Sequence, residues 1–297
     1  MEMLEALTKK ISTIENLKSV VRTMKSLSAV SIRQYETAEA AIAEYHRTIE
    51  LGLQVVLRAN PQITKPARDS GGPVGVIVFG SDYGLCGRFN AAIADFTLSR
   101  LDVEGIAHRG CRCLAVGTRV MEKLEVRGLK PQNCFRLPST ANGLAGLGST
   151  LILEIDKWRE RNECERVLMF YNRRETMQRS APKLTRLLPI DERYLNALAR
   201  HPWEARGLPT FTMDADILLS ALLRQHLFMS IFRAGAESLA AEHAARLASM
   251  QSAERNIAEK LDEMNAEHRR IRQNAITAEI QDIVAGYEVL KAGSRKH

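Results

Sequence analysis

Proline is absent from the first 60 residues and from the last 88: all nine prolines of this 297-residue chain fall between Pro61 and Pro209. Glycine is nearly as scarce there, with Gly52 alone in the first arm and Gly235, Gly286 and Gly293 in the last. A proline inside a helix costs about 3 kcal/mol, so this distribution predicts two long terminal helices around a mixed centre. Aromatic residues make up only 5%, which leaves few stacking platforms for single-stranded nucleic acid. No run of 18 apolar residues occurs, so no bilayer-spanning helix is expected. The five cysteines are odd in number and scattered, which argues for a reducing compartment rather than a disulfide framework. His108, Cys111 and Cys113 cluster in HRGCRC but lack a second ligand pair, so no metal site is expected. The first residues, MEMLEALTKK, carry acids and begin a helical pattern at once, unlike a signal peptide. These features predict a soluble, cytosolic chain. Its net charge of +7 and pI near 9.3 favour an acidic partner, whether nucleic acid, a membrane surface or an acidic protein.

What is present in the arms is periodicity. Leu4, Leu7, Ile11, Ile14, Leu17, Val21, Met24 and Leu27 step by three or four residues. Leu247, Met250, Ile257, Leu261, Met264, His268, Ile271 and Ala275 do the same, with Glu254 interrupting a seam of period 3.5. Asp214 or Asp216 is placed to cap the second helix. At 1.5 Å per residue the helices would run roughly 84 Å and roughly 117 Å, too long for a compact domain. An antiparallel coiled coil satisfies both stripes, with residue 56 near 214, Met24 opposite about residue 246 and Met1 opposite about 269. The last twenty or so residues then project, and their apolar side chains cover every side of the helix. A helix apolar all round must be enclosed, here by other chains.

Between the arms, short apolar runs alternate with helical stretches. Val74–Phe79, Cys113–Val116 and Arg166–Tyr171 read as strands, with Lys183–Leu188 as an edge strand; Asn90–Leu101, Thr118–Val126 and Gly148–Arg161 read as helices. This is the βαβ pattern of a parallel sheet. The predicted organisation is therefore α/β: an N-terminal coiled-coil helix (1–58), a Rossmann-like central domain (70–208) and a C-terminal coiled-coil helix with an apolar tip (212–291). The loop 80-GSDYGLCGRFN-90 follows the first strand and has the glycine density of a phosphate cradle. It lacks the Gly-Lys-Ser/Thr ending of a P-loop, and glycines at 80, 84 and 87 do not fit the dinucleotide spacing. No histidine stands near Asp82 or Cys86 to act as a base. The loop is expected to be a tight strand-to-helix connection, with no cofactor and no catalytic residue.

Together these pieces resemble the gamma subunit of F-type ATP synthases over nearly the whole chain. The likeness rests on 16-NLKSVVRTMKSLSAVSIR-33, on GSDYGLCGRFN, and on 239-LAAEHAARLASMQSAERN-256 followed by 272-RQNAITAEIQDIVAG-286. The chain departs from the family pattern at Tyr83, Arg88, Ser26-Leu27-Ser28 and Arg269, which suggests a divergent bacterial complex. The cysteine-bearing regulatory segment of the chloroplast members is not recognisable.

The resemblance implies a non-catalytic rotor shaft, present in one copy, that turns inside a ring of alpha and beta subunits whose beta subunits hold the ATP sites. Its other implied partners are the epsilon subunit and the membrane c-ring, on the cytoplasmic face of the bacterial inner membrane. By motif position Met24, Lys25 and Arg246 would face the ring lower down, and Arg272, Gln273 and Thr277 would meet a beta-subunit loop above. Ile276, Ile280, Ile283, Val284, Tyr287 and Leu290 would form the apolar bearing tip. The competing classes are a nucleic-acid-binding protein with a coiled-coil arm and an enzyme built on the α/β domain. Glu254, Glu259, Asp262 and Glu263 alternate with the basic residues and weigh against the first; the missing cradle weighs against the second.

Overall fold

A computed structural model describes residues 2–60, 72–108, 110–176, 180–203, 207 and 209–294, with side chains from 3 to 285 in those ranges. In chain order the elements are α1 (Glu2–Ala59), β1 (Val74–Phe79), α2 (Phe89–Val103), β2 (Arg112–Val116), α3 (Thr118–Val126), β3 (Asn133–Phe135), α4 (Ala141–Glu160), β4 (Arg166–Arg174), β5 (Ser180–Leu188), α5 (Glu192–Arg200) and α6 (Ala215–Ser294). They fall into two compact units: residues 1–26 with 250–297, and residues 27–249.

The first unit is an antiparallel pair formed by the start of α1 and the end of α6. Val21 packs in its seam with Met250, Leu261 and Met264, all buried. Thr8 Oγ1 lies 3.3 Å from His268 Nε2 and Arg22 Nε lies 3.0 Å from Glu254 Oε1. The pairing is antiparallel, as expected, but its register is displaced by about six residues along α6 from the expected one. On α1 the buried and half-buried positions recur at Leu4, Ile11, Lys18 and Lys25 and at Leu7, Ile14 and Val21, a strict heptad. Leu17 and Leu27, which the apolar stripe placed in the seam, lie outside it and are exposed. Counting apolar residues followed the hydrophobic side chains off the seam; the heptad itself admits lysine at positions 18 and 25.

The second unit holds a five-stranded sheet in the order β3-β2-β1-β4-β5. All neighbours are parallel except β4 and β5, which pair antiparallel. β1 is buried along its whole length, consistent with cover on both faces. On one face α2 and α3 bury Ile93, Leu101 and Leu124 against Val76, Val78 and Phe170. On the other, α4 and α6 bury Leu151, Ile155, Trp158 and Ile231 against Ile77, Phe79 and Met169. Within this unit α1 again runs antiparallel to α6: Tyr35 stacks on His243 and His46 meets His226. Asp214 caps α6, its Oδ1 accepting from the N–H groups of Asp216 and Ile217 at 2.9 and 3.2 Å.

Three elements differ from the expected pattern. β3 is only three residues long and carries no run from which to read a strand. α4 starts at Ala141 rather than Gly148, because the Thr140 side chain caps Gly143 and sets the start ahead of three glycines. α5 was not expected at all. It lays Leu195 and Leu198 on Ile49, Leu53 and Leu219, and Gln54 donates to the His201 carbonyl at 2.5 Å. An 18-residue window of α6 averages 1.3 in hydropathy, long and apolar enough by composition alone to cross a membrane, contrary to expectation. The helix of a protein core meets the same criterion.

Leu53 is fully buried at the centre of the α1–α5–α6 cluster. Leu53→Ala removes side-chain contacts on three helices at once and should destabilise the chain by about 2–5 kcal/mol. Urea unfolding followed by circular dichroism would show this as a lower midpoint with an unchanged slope.

Candidate functional site

In an open α/β sheet, ligands bind beyond the carboxyl ends of the strands where the strand order reverses. Here that point lies between β1 and β4, and the loop GSDYGLCGRFN opens from it. Its polar side chains turn inward. Asp82 accepts from the Thr118 N–H at 3.0 Å through Oδ1 and from the Leu137 N–H at 2.7 Å through Oδ2, tying the β2–α3 and β3–α4 connections to the loop. Asn90 Oδ1 accepts from the Ser81 N–H at 2.9 Å while its Nδ2 donates to Ser81 Oγ at 2.7 Å. Asn172 Nδ2, from β4, donates to the Phe89 carbonyl at 3.2 Å.

The glycines serve close packing and turning. A Cβ at Gly80 would sit 2.2 Å from Cβ of Val120, so only glycine lets α3 approach β1 this closely. Gly87 has φ +59 and turns the chain into α2. The crevice is thus filled by the loop's own hydrogen bonds, and the groups that would have bound phosphate hold three connections together. Burial raises the Cys86 thiol above its ordinary range, the opposite of what an activated nucleophile needs.

Arg246 reaches this loop from α6. Its Nη2 donates to Glu242 Oε1 at 2.7 Å and to the carbonyls of Tyr83 and Gly84, each at 3.3 Å. Only 9% of the Arg246 side chain and 5% of the Glu242 side chain are exposed. Arg246 was expected to face a surrounding ring; its guanidinium is instead committed inward, to its own chain. With these carbonyls held, Tyr83 and Leu85 project outward, 77% and 59% exposed.

The other expected contact residues separate into two groups. In the first unit Lys25 Nζ contacts Glu254 Oε2 at 2.5 Å, beside Arg22. The interruption seen in the α6 stripe is therefore the acceptor for two cations of α1, which hold the Glu254 carboxyl below its ordinary range. Met24 is half-buried beside them. Arg272, Gln273 and Thr277 are exposed, the Thr277 hydroxyl donating back to the Gln273 carbonyl at 2.9 Å. Ile276, Ile280, Ile283 and Val284 are about half exposed or more. The side chains of Tyr287 and Leu290 lie outside the described residues. The α6 seam ends at Ile271, and every described side chain beyond it is open to solvent.

Sequence reasoning missed a second outward apolar row. Leu17, Val20, Leu27 and Val30 on α1 are each more than half exposed. Leu17 and Val20 in the first unit, and Leu27 and Val30 in the second, are each spaced three residues apart on one helix face, and they are found by asking which apolar residues fall outside the heptad. Of the candidate metal ligands, His108 pairs through Nε2 with Asp102 at 2.9 Å and Cys111 donates to the His108 carbonyl.

Two predictions come from the buried cluster. Removing the guanidinium in Arg246→Ala leaves Glu242 buried without its cation, and burial already pushes that carboxyl up to about 7. The loss should be about 3 kcal/mol at pH 8 and smaller at pH 6, where Glu242 takes a proton; urea midpoints at the two pH values test this. His243, stacked on Tyr35, is lowered to about 4 by burial and then by Arg246. A lowered histidine contributes stability present above its unfolded value near 6.5 and lost as pH falls toward 4. His243→Gln should therefore lose less melting temperature than the parent chain between pH 7 and pH 4.5.

With this geometry in hand, comparison with known proteins gives one answer. A family model described as ATP synthase matches residues 3–290. The ATP synthase gamma chain of Geotalea uraniireducens (strain Rf4) is 26% identical over 299 residues, covering 98% of this chain and all of that one. That of Methylococcus capsulatus (strain ATCC 33009 / NCIMB 11132 / Bath) is 28% identical over 280 residues, covering 93% and 96%. The fold is that of a chain in the Euglena gracilis mitochondrial ATP synthase structure of OSCP, F1 and c-ring. The TM-score is 0.65 at 12% identity, covering 99% of this chain and 96% of that chain. A chain in the rotor structure of the same enzyme gives 0.61 at 13% identity, covering 93% and 99%. The heptad arms, the filled crevice and the exposed end of α6 are thus those of a gamma subunit of the ATP synthase central stalk, and the chain belongs to the ATP synthase gamma-chain family.

Proposed function

We propose that this chain is the non-catalytic rotor shaft of an F-type ATP synthase, turning inside a ring of alpha and beta subunits whose beta subunits carry the ATP sites. The observation that carries this reading is the described end of α6. Ile276, Ile280, Ile283 and Val284 remain exposed on a helix whose seam has already closed at Ile271, and a helix with apolar side chains left in water requires a sleeve. The outward row Leu17, Val20, Leu27 and Val30 gives α1 a surface of the same kind. The α/β domain stands with the epsilon subunit on the membrane c-ring. One copy serves each complex, peripheral to the membrane, on its cytoplasmic face in a bacterium.

An asymmetric shaft touches three equivalent sites differently. Its angle therefore sets which conformation each site prefers, a coupling free energy between rotation and nucleotide affinity that acts in both directions. Apolar side chains on the tip, with Tyr287 and Leu290 among them, make many weak and non-directional contacts, which suits a surface that must slide. Arg272, Gln273 and Thr277 supply directional contacts to a beta-subunit loop. Lower down, Met24 meets the ring, with Lys25 held beside it on Glu254. Arg246 is left out of this contact set and supports the loop that carries Tyr83.

Mixing the purified chain with its cognate alpha and beta subunits should give a stable complex containing one copy of this chain, with ATPase activity that the chain alone lacks. Absence of any complex while all three proteins stay folded would count against the shaft reading. In membranes carrying the whole assembly, Arg272→Glu should reduce ATP-driven ion pumping at least severalfold. Its exposure predicts an unchanged melting temperature for the isolated chain.

A further inference from the structure

Leu85 is held in a left-handed backbone conformation, φ +63, which residues other than glycine, asparagine and aspartate rarely adopt. The two carbonyls before it are held by Arg246: Nη2 donates to Tyr83 and Gly84 at 3.3 Å, and Nε to Gly84 at 3.4 Å. These bonds are long beside the one that Ser81 Oγ donates to the Tyr83 carbonyl, at 2.8 Å. The loop therefore divides into two parts. Its base is anchored, through Asp82 to Thr118 and Leu137 and through Asn90 to Ser81. Its crown, Gly84 and Leu85, is strained and rests on a guanidinium. A Cβ at Gly84 would meet nothing within 4 Å, so the crown has room to lift. Beneath it Cys86, 3% exposed, packs with Phe89 on Ala241 of α6.

The guanidinium in turn rests on a half-satisfied carboxylate. Glu242 Oε1 accepts from Arg246 at 2.7 Å, while its Oε2 is buried and accepts no hydrogen bond. A proton on Oε2 removes the charge that this orphaned oxygen carries and leaves Oε1 to accept from Arg246. The titratable and charged groups facing Glu242 are Tyr35 of α1, Asp82 and Cys86 of the loop, and His243 and Arg246 of α6. The Tyr35 phenol and the Cys86 thiol are raised by burial and stay neutral, and His243, lowered to about 4, is neutral at pH 6 and above. Arg246 is thus the one cation of this set. Burial, opposed by Arg246 and reinforced by Asp82, raises the Glu242 carboxyl to about 7.

We propose that Glu242 and Arg246 form a proton-operated latch, which holds the crown of the loop while Glu242 carries a proton and releases it when the carboxylate must be hydrated. Lifting the crown admits water to Glu242 and returns it toward its ordinary value of 4.5. The closed loop therefore binds a proton that the lifted loop gives up, and closure weakens as pH rises through 7. From these two values the opening constant rises about tenfold between pH 6 and pH 8. The strain at Leu85 is relieved in the lifted loop and favours release. Because Tyr83 and Leu85 are the outward side chains of this loop, the latch sets whether they are offered as a firm face. It is a property of this chain alone and stands or falls apart from the rotor reading.

The test is iodoacetamide labelling of the full chain at pH 6 and pH 8, followed for each cysteine by peptide mass spectrometry. Each rate is divided by that of the same thiol in the urea-unfolded chain at the same pH, which removes the pH dependence of the thiolate itself. The corrected Cys86 rate should be about tenfold higher at pH 8 than at pH 6. At both pH values it should exceed that of Cys113, which is fully buried in the sheet core and is reached only by unfolding. In Glu242→Gln the rise should shrink to less than twofold. If that variant misfolds, the first two comparisons on the unmodified chain still decide. A corrected Cys86 rate that is equal at the two pH values, or no faster than that of Cys113, overturns the proposal. A tenfold rise retained in a folded Glu242→Gln chain overturns it equally.

Discussion

A carboxylate in a helix–helix seam is costly unless the facing helix answers it with cations, and this constraint organises the pair of helices in the first unit. Glu254 stands on the seven-residue repeat of α6, at a position where an apolar residue would pack best. Arg22 and Lys25 of α1 converge on its two oxygens. A slip of one heptad would set the carboxylate beside Glu15 and Lys18 or beside Ala29 and Ile32, so the observed register is the one that gives it two cations. The pair is partly solvated, with Glu254 21% and Lys25 35% exposed, so its value lies in selecting a register rather than in raw stability. The apolar seam supplies the driving force.

The same rule of satisfied polar groups explains why the α/β domain has the topology of a nucleotide-binding fold without its binding site. Asp82, Ser81 and Asn90 sit where a ligand's phosphates would be met, and Asp82 is already hydrogen-bonded to two neighbouring connections while Ser81 and Asn90 are bonded to each other. Arg246 closes the remaining side by holding two loop carbonyls. A ligand entering there would have to break bonds that support three loops and α6 together. Arg246 needs a counter-ion in that setting, and Glu242, one turn earlier on the same helix, provides it.

Most of the fold was legible because proline and glycine mark where helices cannot run. The two arms, β1, α3 and the structural nature of the loop follow from residue spacing alone. β3 was not legible, since three residues at a sheet edge are specified by the neighbours they pair with rather than by their own pattern. α5 was missed because nine residues give barely two turns of period, and its stability comes from tertiary burial of Leu195 and Leu198. The site was harder to read. Lys25 and Arg246 are long cations on helices, and sequence does not distinguish one that faces a partner from one that turns back onto its own chain. Their acceptors, Glu254 and the loop carbonyls, are 229 and 162 or more residues away.

These inward commitments bear on how a shaft can turn. A rotor surface rich in unpaired cations would form strong, directional contacts with any acidic wall and would settle at a few preferred angles. Here Arg22 and Lys25 share Glu254 and Arg246 pairs with Glu242, all within the same chain, while Leu17, Val20, Leu27, Val30, Ile276, Ile280 and Ile283 are exposed apolar side chains. Apolar contacts depend on area and little on angle, so one can be exchanged for the next at small cost. Arg272, exposed at the point where the seam ends, is then positioned to add a directional contact against that smooth background. On the rotor reading, a few such residues define the angles at which the shaft pauses, and the apolar surface between them lets it pass from one to the next.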